Sequence, residues 1–432
     1  MRFRPRRYEL KYAIVLGLLL TAACTNGGAE AADKTARPVS SPAMAGSSPR
    51  SCNGTTASVA AAGPAPETPA LTVPKGLTIQ TIARVPQARE LAALPNGDLL
   101  VGTLGPSVYI VPHAEAAGAA AAPRVFVTVG DPPAHGVTFV RSSCSIYIGT
   151  QHGVFRVPYS DGQLSALRST QIAGVRQGRV APNSDGDIHR TTSVAFTDGR
   201  LYVSVGSSCN ACKEVDPTRA SIQEMSSDGS GMRTRATRIR NAIALAVNPQ
   251  SGHLWAGGAG QDSLPTLHPY EFMDDLSSRH GVADYGWPNC EENQIAYVGG
   301  SQCASTVAPL IEFPAYITHI GAAFYPRESR ARAQYALAKP YAGALLVSSH
   351  GSWHAPNGCN VAPEVDYVPM DGDTPATPVN WSNAAAQWKP FITGFQPSCG
   401  SRIGRATGIA IGSKGSVFVG DDQSGAIYRI RP

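Results

Sequence analysis

The chain is poor in charge and in aromatic rings: 16% of its 432 residues are Asp, Glu, Lys or Arg, and 7% are Phe, Trp or Tyr. Its formal charge of +5 does not make it basic, because Arg2, Arg4, Arg6, Arg7 and Lys11 against Glu9 account for +4 of it and leave the remainder at +1. Without a basic excess there is no electrostatic footprint for nucleic acid. Long apolar runs are missing too. The one candidate, residues 12–20, is too short to span a membrane comfortably as a permanent helix, and behind a basic start it reads as an export signal. A second close cysteine pair is also absent, so Cys209-x-x-Cys212 lacks the other two ligands of a structural zinc site.

The signal ends in Thr21-Ala22-Ala23-Cys24, which resembles a bacterial lipobox with Cys24 as the lipidated first residue. Thr21 stands where Leu is usual, so ordinary cleavage to a free product is the alternative. Residues 1–24 are therefore read as a signal, and the protein as exported to the periplasm or cell envelope and anchored through Cys24. Residues 25–70 are rich in Ala, Ser, Gly, Pro and Thr and nearly free of large apolar side chains. Such a segment buries too little surface to offset its ordering entropy and is expected to be a disordered tether. Beyond Cys24 the eight cysteines, an even number in an exported chain, predict disulfides, most directly Cys209–Cys212 and Cys290–Cys303.

What the rest has is a repeat. The hydrophobic content of 43% suffices for a large core, while 44 Gly and 34 Pro favour turns over long helices. A turn followed by apolar residues and a small one occurs at 96–102, 145–149, 199–204, 252–257, 343–348 and 415–420. Six copies predict an all-β fold, a six-bladed β-propeller over 71–432, with the motifs on equivalent strands near the axis. The long fourth gap predicts an insertion around 262–315. Asp198-Gly199 between β-formers predicts a hairpin.

Loops at one end of a propeller converge on its channel. The polar residues there are His189, Arg240-Asn241, Gly260-Gln261-Asp262, Thr318-His319, His350 with Trp353, and Arg405. Arg offers a planar fork for carboxylates. His189 offers a group that titrates near neutrality, as a general base requires.

These residues carry a resemblance. His189-Arg190-Thr191, the run from Leu201 to Cys212, Arg240-Asn241, Asp284-Tyr285-Gly286-Trp287-Pro288, His350-Gly351-Ser352-Trp353 and the close from Arg405 through Asp421-Asp422 to Tyr428-Arg429 are similar to the glucose/sorbosone dehydrogenase family, and closest to its L-sorbosone dehydrogenase-like branch. The resemblance implies a quinoprotein oxidoreductase that binds pyrroloquinoline quinone (PQQ) with calcium (Ca2+), oxidises a sugar or sugar-derived aldehyde, and passes electrons to an acceptor. It implies His189 as base and Arg240 as polariser of the quinone carbonyl. Arg240, Asn241, Thr318, His319, His350 and Arg405 would hold the cofactor, and Gly260, Gln261 and Asp262 the metal. The chain departs from the family at Gly257-Gly258-Ala259, Tyr270, His354-Ala355 and Asn360. Those departures suit a second reading, a cofactor-less propeller that binds carbohydrate or protein. A calcium-dependent lactonase-type hydrolase is a third.

Overall fold

A computed structural model describes residues 52, 54 and 65–432, apart from 183, 185, 265, 266, 328–332 and 357. The expected signal, its Cys24 and most of the expected tether lie outside the described residues. The described chain folds into six antiparallel sheets arranged as a propeller.

Blade 1 runs Ala88–Ala93, Leu99–Thr103, Ser107–Val111 and Arg124–Thr128. Blade 2 comprises Gly136–Val140, Ser145–Gly149, Gly153–Pro158 and Thr170–Gly174. In blade 3, Thr192–Thr197, Arg200–Val205, Ser221–Ser226 and Arg233–Thr237 are joined by the short parallel strand Ala283–Asp284. Blade 4 is Ala244–Val247, Leu254–Gly258, Glu271–Asp275 and Ile311–Phe313. Blade 5 is His319–Phe324, Leu345–Ser349, Glu364–Val368 and Lys389–Ile392. Blade 6 takes Ala406–Ile411, Val417–Asp421 and Ala426–Arg431 from the C-terminus and borrows its outer strand, Thr78–Arg84, from the start of the domain. That borrowed strand pairs with Ala426–Arg431 and so ties the start of the domain to its end, closing the ring.

The six repeated motifs occupy equivalent strands, but these are the second strands of their blades, not the innermost. The axis is lined by the strands that precede them, each touching the first strand of the next blade all the way round. Crowding explains why these inner strands read weakly in the sequence. A Cβ at Gly136 would meet the Thr192 carbonyl at 2.4 Å, and one at Gly408 the Arg89 carbonyl at 2.4 Å. Small residues are required there, and small residues carry little hydrophobic signal.

The second strands are apolar at successive positions because each side of a blade packs on a different neighbour. Leu99 and Val101 join the core between blades 6 and 1, while Leu100 between them joins the core between blades 1 and 2. Leu201 and Val203 face blade 2, and Tyr202 faces blade 4. Six such cores, one per blade junction, hold the ring together. Trp255 is fully buried in the junction of blades 4 and 5.

The hairpin at Asp198-Gly199 forms with both residues at positive φ, 50° and 75°, the geometry of a two-residue turn whose twist matches its strands. The insertion falls between Glu271–Asp275 and Ile311–Phe313. All eight cysteines are paired: Cys209–Cys212 and Cys290–Cys303 as expected, together with Cys52–Cys144 and Cys359–Cys399. The first of the latter two joins Cys52, inside the expected linker of 25–70, to the propeller domain. Cys52 is fastened to blade 2, where its N–H also reaches the Asp161 carboxylate at 3.1 Å.

Candidate active site

One mouth of the channel is formed where inner strands begin and second strands end. Arg89, His135, His189, Arg240, Thr318 and Arg405 all lie at or just before the start of an inner strand. Ser207, Ala259, His350 and Asp422 follow the ends of second strands. Residues far apart in sequence thus meet on one rim.

His189 is held in a defined tautomer. Its Nδ1 lies 2.9 Å from the Ser207 hydroxyl oxygen and 3.1 Å from the Ser207 carbonyl. The Ser207 hydroxyl donates to the Cys209 carbonyl at 2.7 Å, so its proton is committed and the oxygen is an acceptor toward the ring. Nδ1 therefore carries the proton, and Nε2, which has no hydrogen-bond partner among the described residues, carries a lone pair. Burial and then the nearby Arg240 charge hold the imidazole pKa well below its ordinary value, against the opposing pull of Ser207. The ring is neutral at physiological pH.

The backbone behind His189 is fixed by Arg176, which the sequence did not single out. Its guanidinium donates to the carbonyls of Gln151, His189 and Thr191 at 2.7–2.8 Å and to the Thr192 hydroxyl at 2.6 Å. Desolvation lowers its pKa to about 10, so it remains a cation. The segment is further pinned by Arg219, which grips Asp187 at 2.6 Å.

Arg240 is buried and almost fully engaged. Nε donates to the Asn210 carbonyl at 3.0 Å, and one terminal nitrogen donates to Asn210 Oδ1 at 2.9 Å and to Asp262 Oδ2 at 3.0 Å. Asn241 sits beside it, buried, with Oδ1 lacking a partner among the described residues. Gly206 makes this closeness possible, since a Cβ there would lie 2.5 Å from both Asn241 Oδ1 and His189 Cβ. Two buried acids, Glu271 and Glu291, also feel the Arg240 charge. Burial outweighs it, raising Glu271 well above the carboxylate range and Glu291 to about 7.

Across the rim, Asp422 bridges two of the residues. It accepts from Arg89 at 2.7 Å and lies 2.9 Å from His350 Nε2. Although burial works against it, His350 and Arg89 hold its carboxyl below the usual range. The His350 ring, expected to face a ligand anion, is thus turned onto a protein carboxylate. Burial lowers its pKa to about 4 in spite of that partner. Asp421 shapes a turn, accepting from the backbone of Arg405, Gln423 and Ser424 at 3.0 Å. Arg405 is half-buried and donates to the carbonyls of His350 and Gly351 at 3.0 and 2.8 Å.

Thr318 lies near the rim in a left-handed conformation, φ 56°, and its carbonyl accepts from His350 N–H at 2.9 Å. His319 does not join it. As the first residue of an inner strand its side chain alternates into the junction of blades 4 and 5, where it is 0% exposed and edge-on to Phe313, ring centroids 4.3 Å apart. A ring sealed in this way cannot touch a cofactor, which corrects its expected role. Trp353, by contrast, stands 69% exposed beside His354.

The expected metal segment offers one side-chain carboxylate, Asp262, with Oδ2 already on Arg240. Gln261 is buried and turned away, donating to Glu291 and to the Pro288 carbonyl. This donor set does not by itself fit calcium, which takes about six to eight oxygen ligands. A planar polyanion is better served. Arg89, Arg240 and Arg405 share the rim, and the buried Arg89 Nε, a donor, lacks a partner among the described residues.

The six-bladed fold is similar to that of solved propellers described as PQQ-binding sugar dehydrogenases. A family model described as TrAA12-like matches residues 287–432. Among solved structures, the holo PQQ domain of pyranose dehydrogenase from Coprinopsis cinerea superposes with a TM-score of 0.70 at 18% identity, covering 86% of this chain and 99% of that one. A calcium structure of a family AA12 carbohydrate-active enzyme from Trichoderma reesei gives 0.67 at 17%, covering 84% and 97%. The PQQ-bound aldose sugar dehydrogenase of Streptomyces coelicolor gives 0.53 at 17%, covering 83% and 99%. A curated Borreliella burgdorferi protein described only as uncharacterized is 23% identical over 58% of this chain, and the match spans 62% of that protein.

Proposed function

We propose that this protein is a PQQ-dependent oxidoreductase of a sugar or sugar-derived aldehyde. The carrying observation is the His189 tautomer: Ser207 holds the proton on Nδ1 and leaves Nε2 as a neutral acceptor at the rim, beside Arg240. PQQ, when bound, supplies the two-electron acceptor for hydride. His189 Nε2 takes the proton of the substrate hydroxyl or aldehyde hydrate, and the burial that keeps the ring neutral keeps it ready to do so. Arg240, locked by Asn210 and Asp262, presents fixed positive charge without reorganisation during the reaction. Asn241, Thr318 and Arg405 complete the cofactor rim. We extend the same reading to the leader: the protein is exported and anchored in the cell envelope through Cys24, and it passes its electrons to a separate acceptor.

A second reading has its own support. The His350 ring already lies on Asp422, and Arg240 already satisfies protein acceptors, as befits a rim that has lost its cofactor and binds carbohydrate or protein instead. Titrating the purified protein with PQQ and calcium separates the two. Saturable binding, weakened by Arg405→Ala, supports the dehydrogenase; no binding at any calcium concentration leaves the binding module.

A further inference from the structure

The loop 207–212 touches both groups on which the proposed reaction depends. Ser207 holds His189, and its own hydroxyl is fixed by the Cys209 carbonyl at 2.7 Å. Asn210 holds Arg240 through its carbonyl at 3.0 Å and its Oδ1 at 2.9 Å. The same Oδ1 accepts from Asp262 N–H at 2.8 Å, Nδ2 donates to the Asp262 carbonyl at 3.0 Å, and the Asn210 carbonyl also takes Trp287 Nε1 at 3.1 Å. Each polar group of this amide thus points at the Arg240–Asp262 pair. An unconstrained loop residue would lose considerable entropy in holding such a geometry. Asn210 is not unconstrained, because it lies between Cys209 and Cys212, which are bonded to each other.

The two sulfurs are not equally accessible. Cys209 is 2% exposed and packs on Ala220 and Trp287. Cys212 is half-buried and lines an open cleft of about 840 Å³ together with Lys213, Glu214 and Arg219.

We propose that Asn210 is the positioning residue for Arg240 and that the Cys209–Cys212 disulfide holds it in place, so that opening this bond with a dithiol lowers the activity reversibly. The inference rests on the dehydrogenase reading. A thiolate of the dithiol attacks Cys212 Sγ from the cleft, the S–S bond breaks, and Cys209 leaves as the thiolate and takes up a proton. The second thiol of the reagent then releases Cys212, so two electrons and two protons pass to the protein and the reagent becomes a disulfide. The loop, no longer cross-linked, ceases to hold Asn210 against Arg240.

The test uses the PQQ-loaded protein and, separately, the cofactor-free protein. Asn210→Ala and Cys209→Ser/Cys212→Ser are each expected to lower kcat by about 10- to 100-fold, the scale of a catalytic group displaced by about an ångström. KM should change little. Asn210→Asp keeps an acceptor for Arg240 and should stay within a few-fold of wild type. Mild dithiol should lower wild-type activity, reoxidation should restore it, and the double-serine variant should not respond. An NMR titration of the His189 ring in cofactor-free protein reads Arg240 directly. Burial is the largest cause that holds that ring low and the Arg240 charge the next, so displacing Arg240 should raise the midpoint in Asn210→Ala and in the double-serine variant. An unmoved midpoint with undiminished turnover in both variants overturns the proposal. If PQQ never binds, the dehydrogenase reading falls, and the ring titration still decides whether Asn210 positions Arg240.

Discussion

Replacing Arg176 with Met tests how the site is built. The substitution keeps an unbranched side chain of similar length and removes the guanidinium that serves three backbone carbonyls and the Thr192 hydroxyl at 2.6–2.8 Å. Each buried acceptor left without its donor costs about 1 kcal/mol or more, so four together come to about 4 kcal/mol. Relief from burying a cation offsets part of this, and about 3 kcal/mol remains. With a urea m-value of about 3 kcal/mol/M the unfolding midpoint should fall by about 1 M. Arg176→Lys restores the charge but not the fan of donors, and should recover only a part. Because two of the carbonyls belong to His189 and Thr191, turnover should fall further than cofactor affinity in both variants. An unchanged midpoint in Arg176→Met would refute the reasoning, since those acceptors would then be satisfied by something other than Arg176.

Further outcomes follow from the same geometry. His189→Ala removes proton transfer and no cofactor contact, so turnover should drop about a hundred- to ten-thousand-fold while PQQ affinity stays near wild type; a variant that turns over normally removes the base assignment. Asp422, whose carboxyl is held below its ordinary range, stabilises the fold when ionised. Its contribution is complete above about pH 4, the unfolded value, and is lost as pH falls through the lower folded value. The melting-temperature difference between wild type and Asp422→Asn should therefore be constant from neutrality down to about pH 4 and shrink below it. A difference that instead grows on acidification contradicts the sign.

Much of the architecture was legible because second strands must be apolar on both sides. Leu99-Leu100-Val101 and Leu201-Tyr202-Val203 feed two junctions each, and that requirement recurs six times. The innermost strands were not legible as such, since close approach at Gly136, Gly321 and Gly408 replaces hydrophobic signal with small residues. With them went the signal for Arg89 and His135, which precede or open inner strands just as His189 and Arg405 do. His319 is expected among the convergent-loop residues, but as the first residue of an inner strand its side chain turns into the blade junction. Arg176 carried no sequence signal, and Asn210 only its place in the run from Leu201 to Cys212. Their roles depend on which carbonyls and guanidinium the fold sets before them, and no local pattern encodes that.

The central claim, that this rim oxidises a sugar through a bound quinone, is tested most directly by a single anaerobic turnover. The protein is loaded with PQQ and calcium, freed of excess, and mixed with an aldose in a stopped-flow spectrometer. The account predicts that the absorbance of the oxidised quinone is bleached at a rate that saturates with sugar, and that His189→Ala, equally loaded, bleaches about a hundredfold or more slowly. Loaded wild-type protein whose quinone spectrum stays unchanged by aldoses and sugar aldehydes alike would contradict it.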